Sequence, residues 1–94
     1  MALDLGRTVA TPGALKLLEE AGISPASLLL RHANGDWGTL SPHDRQANVD
    51  ALRDSSRVFS VYPLPDGGKV WVITEAVGED GNRESTCILL PSDY

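Results

Sequence analysis

A helix start signal that occurs three times in the first half of the chain is the strongest constraint on its fold. In each case a hydroxyl side chain directly precedes a proline: Thr11-Pro12, Ser24-Pro25 and Ser41-Pro42. A hydroxyl at the N-cap accepts a hydrogen bond from a free backbone amide. Proline fits the first helical position because its missing donor is not needed there. The sequence therefore predicts three short helices, at about 12–21, 25–33 and 42–53.

The pattern changes from helix to strand after residue 56. The stretch 57–62 alternates between two faces, whereas 69–76 and 85–90 read as further strands. Glycine-rich turns separate the three stretches. We expect a two-layer α+β fold in which three short N-terminal helices pack on a three-stranded antiparallel meander. Residues 6–10 are a further candidate strand, at an edge of the sheet.

Composition is that of one small globular domain spanning 1–94, with 41% hydrophobic and 22% charged residues. The chain has one cysteine, Cys87, in an apolar strand, which predicts a buried and unreactive thiol. The N-terminus lacks the pattern of a secretory leader, and no apolar run has the length of a membrane span. We therefore expect a cytoplasmic protein without a membrane partner.

The chain is acidic, with 13 acidic and 8 basic residues and a net charge of −5. This balance argues against direct binding of nucleic acid, which requires clustered cations. It is compatible with docking onto a basic protein surface, and equally with a charge that only maintains solubility. Asp44, Asp50 and Asp54 fall mostly on solvent-facing positions of the third helix and are candidate partner-binding residues.

The segment 31–38 concentrates the other candidate partner-binding residues, His32, Asp36 and Trp37. His32 ends the second helix, where its ring can bond the last carbonyls, although ligand binding or catalysis is the alternative. Asp36 can cap the turn by accepting backbone amides. Trp37 either fills the gap between the second helix and the sheet or faces a partner, since tryptophan is enriched in binding hot spots.

No complete catalytic or metal-binding motif is present in the sequence. The spacing of His32 and His43 matches no recognised zinc site, so we expect neither metal nor cofactor. Ser41 and His43 lie close in sequence, but Ser41 is committed to capping a helix and His43 projects from another side. We therefore expect no enzyme, and a minimal enzyme that uses His32 and Asp36 is the least favoured alternative.

Five segments of the chain resemble a group of short proteins encoded on bacterial plasmids and integrative elements: 5–15, 31–32, 35–38, 69–76 and 89–94. Members of that group are described as plasmid-related proteins of unknown function, sometimes as subunit M of a type I restriction system. A methyltransferase does not fit 94 residues that lack a glycine-rich cofactor loop after a strand.

The resemblance implies a non-catalytic accessory protein of mobile DNA whose partner is a host or plasmid-encoded protein. In its most concrete form, the protein would inhibit a host defence complex, as an anti-CRISPR or anti-restriction protein, by stoichiometric binding through an acidic surface. The alternative is an antitoxin-like or regulatory module that binds one cognate protein. The oligomeric state is left open by the sequence.

Overall fold

Residues 3–94 are described by the structure, which is a computed structural model. Three α-helices, four strands and a final 3₁₀ turn follow one another as β1 (Arg7–Ala10), α1 (Pro12–Ala21), α2 (Pro25–Ala33), α3 (Pro42–Asp54), β2 (Val58–Pro63), β3 (Lys69–Thr74), β4 (Ser85–Leu89) and η1 (Pro91–Asp93). The predicted starts of all three helices are confirmed. Within residues 3–94, no helix has the length and apolar character needed to cross a membrane.

Two of the three predicted side-chain caps form. The hydroxyls of Thr11 and Ser41 accept hydrogen bonds from the amides three residues later. Ser24 makes no side-chain cap, and its carbonyl instead accepts a hydrogen bond from the hydroxyl of Ser27. The second helix therefore begins at its proline without a side-chain cap.

The expected three-stranded antiparallel meander is wrong, because the sheet has four strands and is mixed. Its order is β1-β4-β3-β2, and β1 lies parallel to β4. The sequence pointed to 6–10 as a candidate edge strand, but not to the pairing of Arg7 with Ser85 at the far end of the chain. Four residues carry too little alternation to specify such a long-range parallel contact. The α+β class itself agrees with the structure.

Gly6 allows β1 to lie directly beside the start of β4. Its φ of 63° is left-handed, and a Cβ there would overlap the backbone of Arg83 and Glu84. Only glycine avoids both the strain and the overlap. The close approach positions the amide of Arg7 to donate to the carbonyl of Glu84 at 3.0 Å, which starts the parallel pairing.

The helices cover one face of the sheet, which we call the covered face. Its core consists of buried side chains from α1, α2, the strands and the turn after β2: Ala14, Leu18, Leu28, Tyr62, Leu64, Val70, Val72 and Ile88. A second cluster under α3 joins Trp37, Leu40 and Ala51 to Val58. Within residues 3–94, no α-helix packs on the opposite face of the sheet, which we call the open face.

The outer edge of β2 is closed by side-chain and loop contacts. The side-chain amide of Asn48, on α3, donates to the carbonyl of Phe59 at 2.6 Å and accepts from its amide at 3.0 Å. Two residues along, Val61 bonds the backbone of Trp37 and Thr39. Gly38 permits this approach, since a Cβ there would overlap the carbonyl of Val61. The edge of β2 is thereby protected against pairing with another strand.

Candidate partner-binding site

His32 is fully buried rather than placed at the solvent-exposed end of α2. Its Nε2 lies 2.8 Å from the hydroxyl of Thr74, and its Nδ1 contacts the hydroxyl of Ser60. The predicted role of capping the last carbonyls of the helix is therefore wrong. Because α2 crosses the covered face, its last turn points the ring into the sheet, which the sequence pattern alone did not indicate.

The direction of the hydrogen bonds fixes the tautomer of His32. The hydroxyl of Thr86 donates to the carbonyl of Leu5 at 2.7 Å, so its contact with Thr74, at 2.6 Å, must be donated by Thr74. The proton of Thr74 is then used, and Thr74 can only accept from His32. It follows that Nε2 carries the proton and Nδ1 accepts from Ser60. We call Ser60, His32, Thr74 and Thr86 the polar chain.

Burial keeps the ring of His32 neutral. Burial, followed by the positive charge of Arg83, lowers the pKa of His32 to about 4. Both ring nitrogens are engaged and the side chain has no exposed surface. The ring of His32 is bonded to Ser60 and Thr74 rather than to Asp36, so the structure does not bring together the two residues of the minimal-enzyme alternative.

Asp36 fastens the turn after α2. Its carboxylate accepts from the guanidinium of Arg31 at 2.7 Å and from the amide of Gly38 at 3.4 Å, and the bond from Arg31 holds the pKa of the carboxyl below its usual range. The carbonyl of Asp36 accepts from the hydroxyl of Tyr62 at 2.6 Å. The guanidinium of Arg31 also stacks on the ring of Tyr62, 4.5 Å from its centre.

Trp37 belongs to the core rather than to a surface. It is 7% exposed and packs with Leu40, Ala51 and Val58 beneath α3. The expectation that Trp37 fills a gap in the core agrees with this burial, but the gap lies beneath α3 rather than between the second helix and the sheet. As a partner-binding residue it would have to leave its cluster.

The three aspartates of α3 are exposed, as their positions predicted. Asp50 accepts a hydrogen bond from the side chain of Gln46 at 3.1 Å, and Asp54 caps the next turn by accepting from the amide of Ser56 at 3.0 Å. Hydrogen bonding from the side chain of Ser56, followed by that from its amide, lowers the pKa of the Asp54 carboxyl. Asp44 follows the cap of the helix. Arg45 and Arg53 interleave with these carboxylates, so α3 does not present a uniformly acidic surface.

Arg83 is a structural residue that the sequence analysis missed. It is 7% exposed and its guanidinium donates to three carbonyls, those of Ser56 at 2.7 Å, Glu75 at 2.9 Å and Ala51 at 3.3 Å. These bonds join the end of α3 to the loops that flank the sheet. The cation also satisfies a carbonyl in the last turn of α3, where the helix dipole favours positive charge. A lone arginine in a glycine-rich turn gave no sequence signal for this role.

Aromatic side chains line a groove on the open face. Alternation along β2 and β3 points Phe59, Trp71 and Ile73 away from the helices, and the segment after η1 brings Tyr94 over them. The ring of Trp71 meets those of Phe59 and Tyr94 edge to face, with centres 5.2 and 5.8 Å apart. Together with Arg57, these residues line an open volume of about 290 Å³. We call this the aromatic groove.

Arg57 supplies the polar rim of the aromatic groove. Its guanidinium holds both carboxylate oxygens of Glu75 at 3.2 Å and donates to the hydroxyl of Tyr94, also at 3.2 Å. The bond to Glu75, with that to Tyr94, raises the pKa of Arg57. The guanidinium thus keeps its charge and retains N–H donors beyond these three bonds.

Cys87 lies on the open face rather than in the covered core. The thiol is partly exposed, so the expectation of a buried thiol is wrong. Burial raises the pKa of the Cys87 thiol, as do the charges of Asp93 and Glu75. The thiol is therefore held in its less reactive, protonated form.

The alternation of β2 and β3 assigned Phe59 and Trp71 to definite faces, but it did not show which face the helices cover. Tyr94 carried no signal, since its position depends on the turn at Pro91.

Among residues 3–94, no group of three or more His, Cys, Asp or Glu side chains is arranged to hold a metal ion. Comparison of the chain with protein-family models, with curated proteins and with solved structures gave no match. The resemblance to plasmid-encoded proteins therefore stays a prediction.

Proposed function

We propose that this protein acts by binding another protein stoichiometrically, and that the aromatic groove is the centre of the contact. The observation that supports this is the convergence of Trp71, Tyr94 and Arg57 on one accessible patch. Tryptophan, tyrosine and arginine are the residue types that most often dominate the free energy of protein association. Tyr94 is 73% exposed, so its ring is available for burial by a partner.

The shape and chemistry of the aromatic groove favour a protruding apolar side chain of the partner. Its volume of about 290 Å³ lies at the lower limit for small-molecule sites, and the groove is open rather than enclosing. Its walls are rings and the side chain of Ile73. The polar groups at its rim, the guanidinium of Arg57 and the hydroxyl of Tyr94, can donate hydrogen bonds. The occupant that fits is a leucine-sized or phenylalanine-sized anchor beside a carboxylate or carbonyl oxygen.

The acidic surface of α3 receives less support as the docking site. Two of its three carboxylates have intramolecular partners, and Arg45 and Arg53 interrupt the negative charge. A basic partner would therefore meet a mixed surface. Docking through Asp44, Asp50 and Asp54 predicts strong salt dependence, whereas docking of an apolar anchor predicts little.

The class of partner follows from the resemblance to proteins of mobile DNA. A subunit of a host defence complex is the partner of an anti-CRISPR or anti-restriction protein, and a plasmid-encoded toxin is that of an antitoxin. Both functions use stoichiometric binding without catalysis. The identity of the captured protein separates them.

The experiment begins with capture of partners from a bacterial lysate that carries defence systems, followed by titration calorimetry with the purified partner. We expect Tyr94→Ala to weaken binding by about 2 kcal/mol, or about 30-fold, without unfolding the protein. Leu30→Ala is the matched control, because Leu30 is 65% exposed on α2, away from the aromatic groove. We expect Leu30→Ala to bind as the wild type does.

Charge reversal of Asp44, Asp50 and Asp54 tests the alternative, in which the partner docks on the acidic surface of α3. Binding that survives Tyr94→Ala but is lost in the triple reversal would reject the aromatic groove and favour acidic docking. Turnover of a substrate without a stable complex would reject the proposed function altogether.

A further inference from the structure

The outer edge of β1 differs from that of β2 in being free to pair. The amides of Arg7 and Thr11 donate to the carbonyls of Glu84, just before β4, and of Ile88 within it. Because successive residues of a strand alternate in direction, the N–H and C=O groups of Thr8 and Ala10 point away from the sheet. Within residues 3–94, neither of these outward residues has a backbone partner. An edge of this kind is a template for another strand.

The usable part of this edge is short and has defined ends. Before it, Gly6 leaves the extended conformation with a φ of 63°, and its amide is taken by the carboxylate of Asp4 at 3.1 Å. After it, Pro12 has no N–H to donate. Only Thr8 and Ala10 can therefore exchange backbone hydrogen bonds with a neighbour.

We propose that a second copy of this chain pairs with β1 in antiparallel orientation about Val9. In this register Thr8 faces Ala10 of the second copy and Ala10 faces its Thr8, which satisfies all the outward groups with four N–H···O bonds. A register centred on Thr8 would require Gly6, and one centred on Ala10 would require Pro12. The ends of the edge thus select a single symmetric register.

The side chains along the edge fit this occupant. A groove of about 150 Å³ lies between β1 and α2, lined partly by Ala10, Pro25 and Leu29. The Thr8 side chain of the second copy, opposite Ala10, is small enough to enter it, and the two-fold axis repeats the contact. Val9, which is 42% exposed on the open face, would pack against its own copy. Arg7 would lie opposite Thr11, so no like charges would face each other.

The result would be a continuous eight-stranded sheet with two-fold symmetry. Because Asn48 closes the other edge, association stops at the dimer. The two open faces lie on the same side of such a sheet, which would present two aromatic grooves to one partner surface. The dimer does not depend on the proposed function, because it uses β1 and not the aromatic groove.

Sedimentation over a wide range of protein concentrations tests the dimer. We expect the wild type to shift from monomer to dimer, and Thr8→Pro, which removes one outward donor per copy, to raise the dissociation constant about tenfold or more. The amide of Thr8 has no bond within residues 3–94 of its own chain, so proline there leaves the monomer's bonds in place. Thr8→Val is the matched control and keeps the donor.

If Thr8→Pro fails to fold, amide hydrogen exchange on the wild type tests whether β1 pairs with a second copy. Protection of the Thr8 and Ala10 amides is expected to rise with concentration, whereas that of Arg7, bonded within the sheet, is expected to stay constant. A monomer at every concentration would overturn the proposal. So would a dimer that Thr8→Pro leaves intact, and loss of that dimer in Tyr94→Ala would instead assign the interface to the aromatic groove.

Discussion

The two faces of the sheet differ in which side chains they bury and which they expose. The covered face buries polar side chains but gives each a partner, so that Ser60, His32, Thr74 and Thr86 are all below 1% exposure and all hydrogen-bonded. The open face instead leaves apolar rings partly exposed, with their polar groups at the rim. The comparison separates the residues that stabilise the fold from those available to a partner.

The two tryptophans provide the sharpest test of this separation, because each face has one nearby. Trp37→Ala should lower the free energy of unfolding by about 3–5 kcal/mol, since it empties a packed cluster. Trp71→Ala should cost about 1–2 kcal/mol, because mainly its edge contacts with Phe59 and Tyr94 are lost. Urea denaturation of both variants measures the difference. Equal losses would show that the open face is part of the core.

His32 gives the second test, through the dependence of stability on pH. The pKa of His32 is about 4 in the folded chain and 6.5 unfolded, so between these values the unfolded state binds the proton and the folded state does not. Stability is therefore fully present above pH 6.5 and is lost as the pH falls toward 4. Between pH 7 and pH 5 we expect a loss of about 2 kcal/mol.

His43 supplies the control for this titration, since it is exposed in the first turn of α3. His43→Gln should retain the pH dependence, and NMR of the imidazole nitrogens should show His32 protonated at Nε2. A stability that is flat between pH 7 and pH 5 would contradict the buried neutral ring.

The smallest expected effect concerns the ion pair between Arg57 and Glu75 at the rim of the open face. Both side chains are about half exposed, and exposed pairs contribute about 0–1 kcal/mol. Glu75→Gln should therefore change the free energy of unfolding by less than about 0.5 kcal/mol in moderate salt. A larger loss, measured by thermal denaturation at two salt concentrations, would assign the rim a structural role.

Local signals in the sequence were sufficient for the helices but not for the complete sheet. Thr11 and Ser41 mark their helices by short-range capping, which depends on a few neighbouring residues. The pairing of Arg7 with Ser85 depends on the whole intervening chain, and four residues of β1 cannot encode it. His32 was misplaced for a related reason, because its partners Ser60 and Thr74 come from strands 28 and 42 residues later.

The candidate site was harder to predict than the fold. Trp37 and the aspartates of α3 are conspicuous in the sequence and were therefore the predicted contact residues. Trp71 and Tyr94 become neighbours only after β4 turns at Pro91, so their contact has no signature in sequence spacing. Asn48 is a similar case, since a polar residue on a helix gives no sign that its amide completes the edge of a strand.

The carbonyl of Leu5 has a consequence for how the N-terminal segment is handled in the laboratory. A carbonyl can only accept, and so this one atom orients the hydroxyls of Thr86 and Thr74 and, through them, the imidazole. Deleting the first five residues would remove this acceptor. Every hydrogen bond of the polar chain could then reverse its donor and its acceptor. A truncated protein could then keep its shape while holding His32 in the other tautomer.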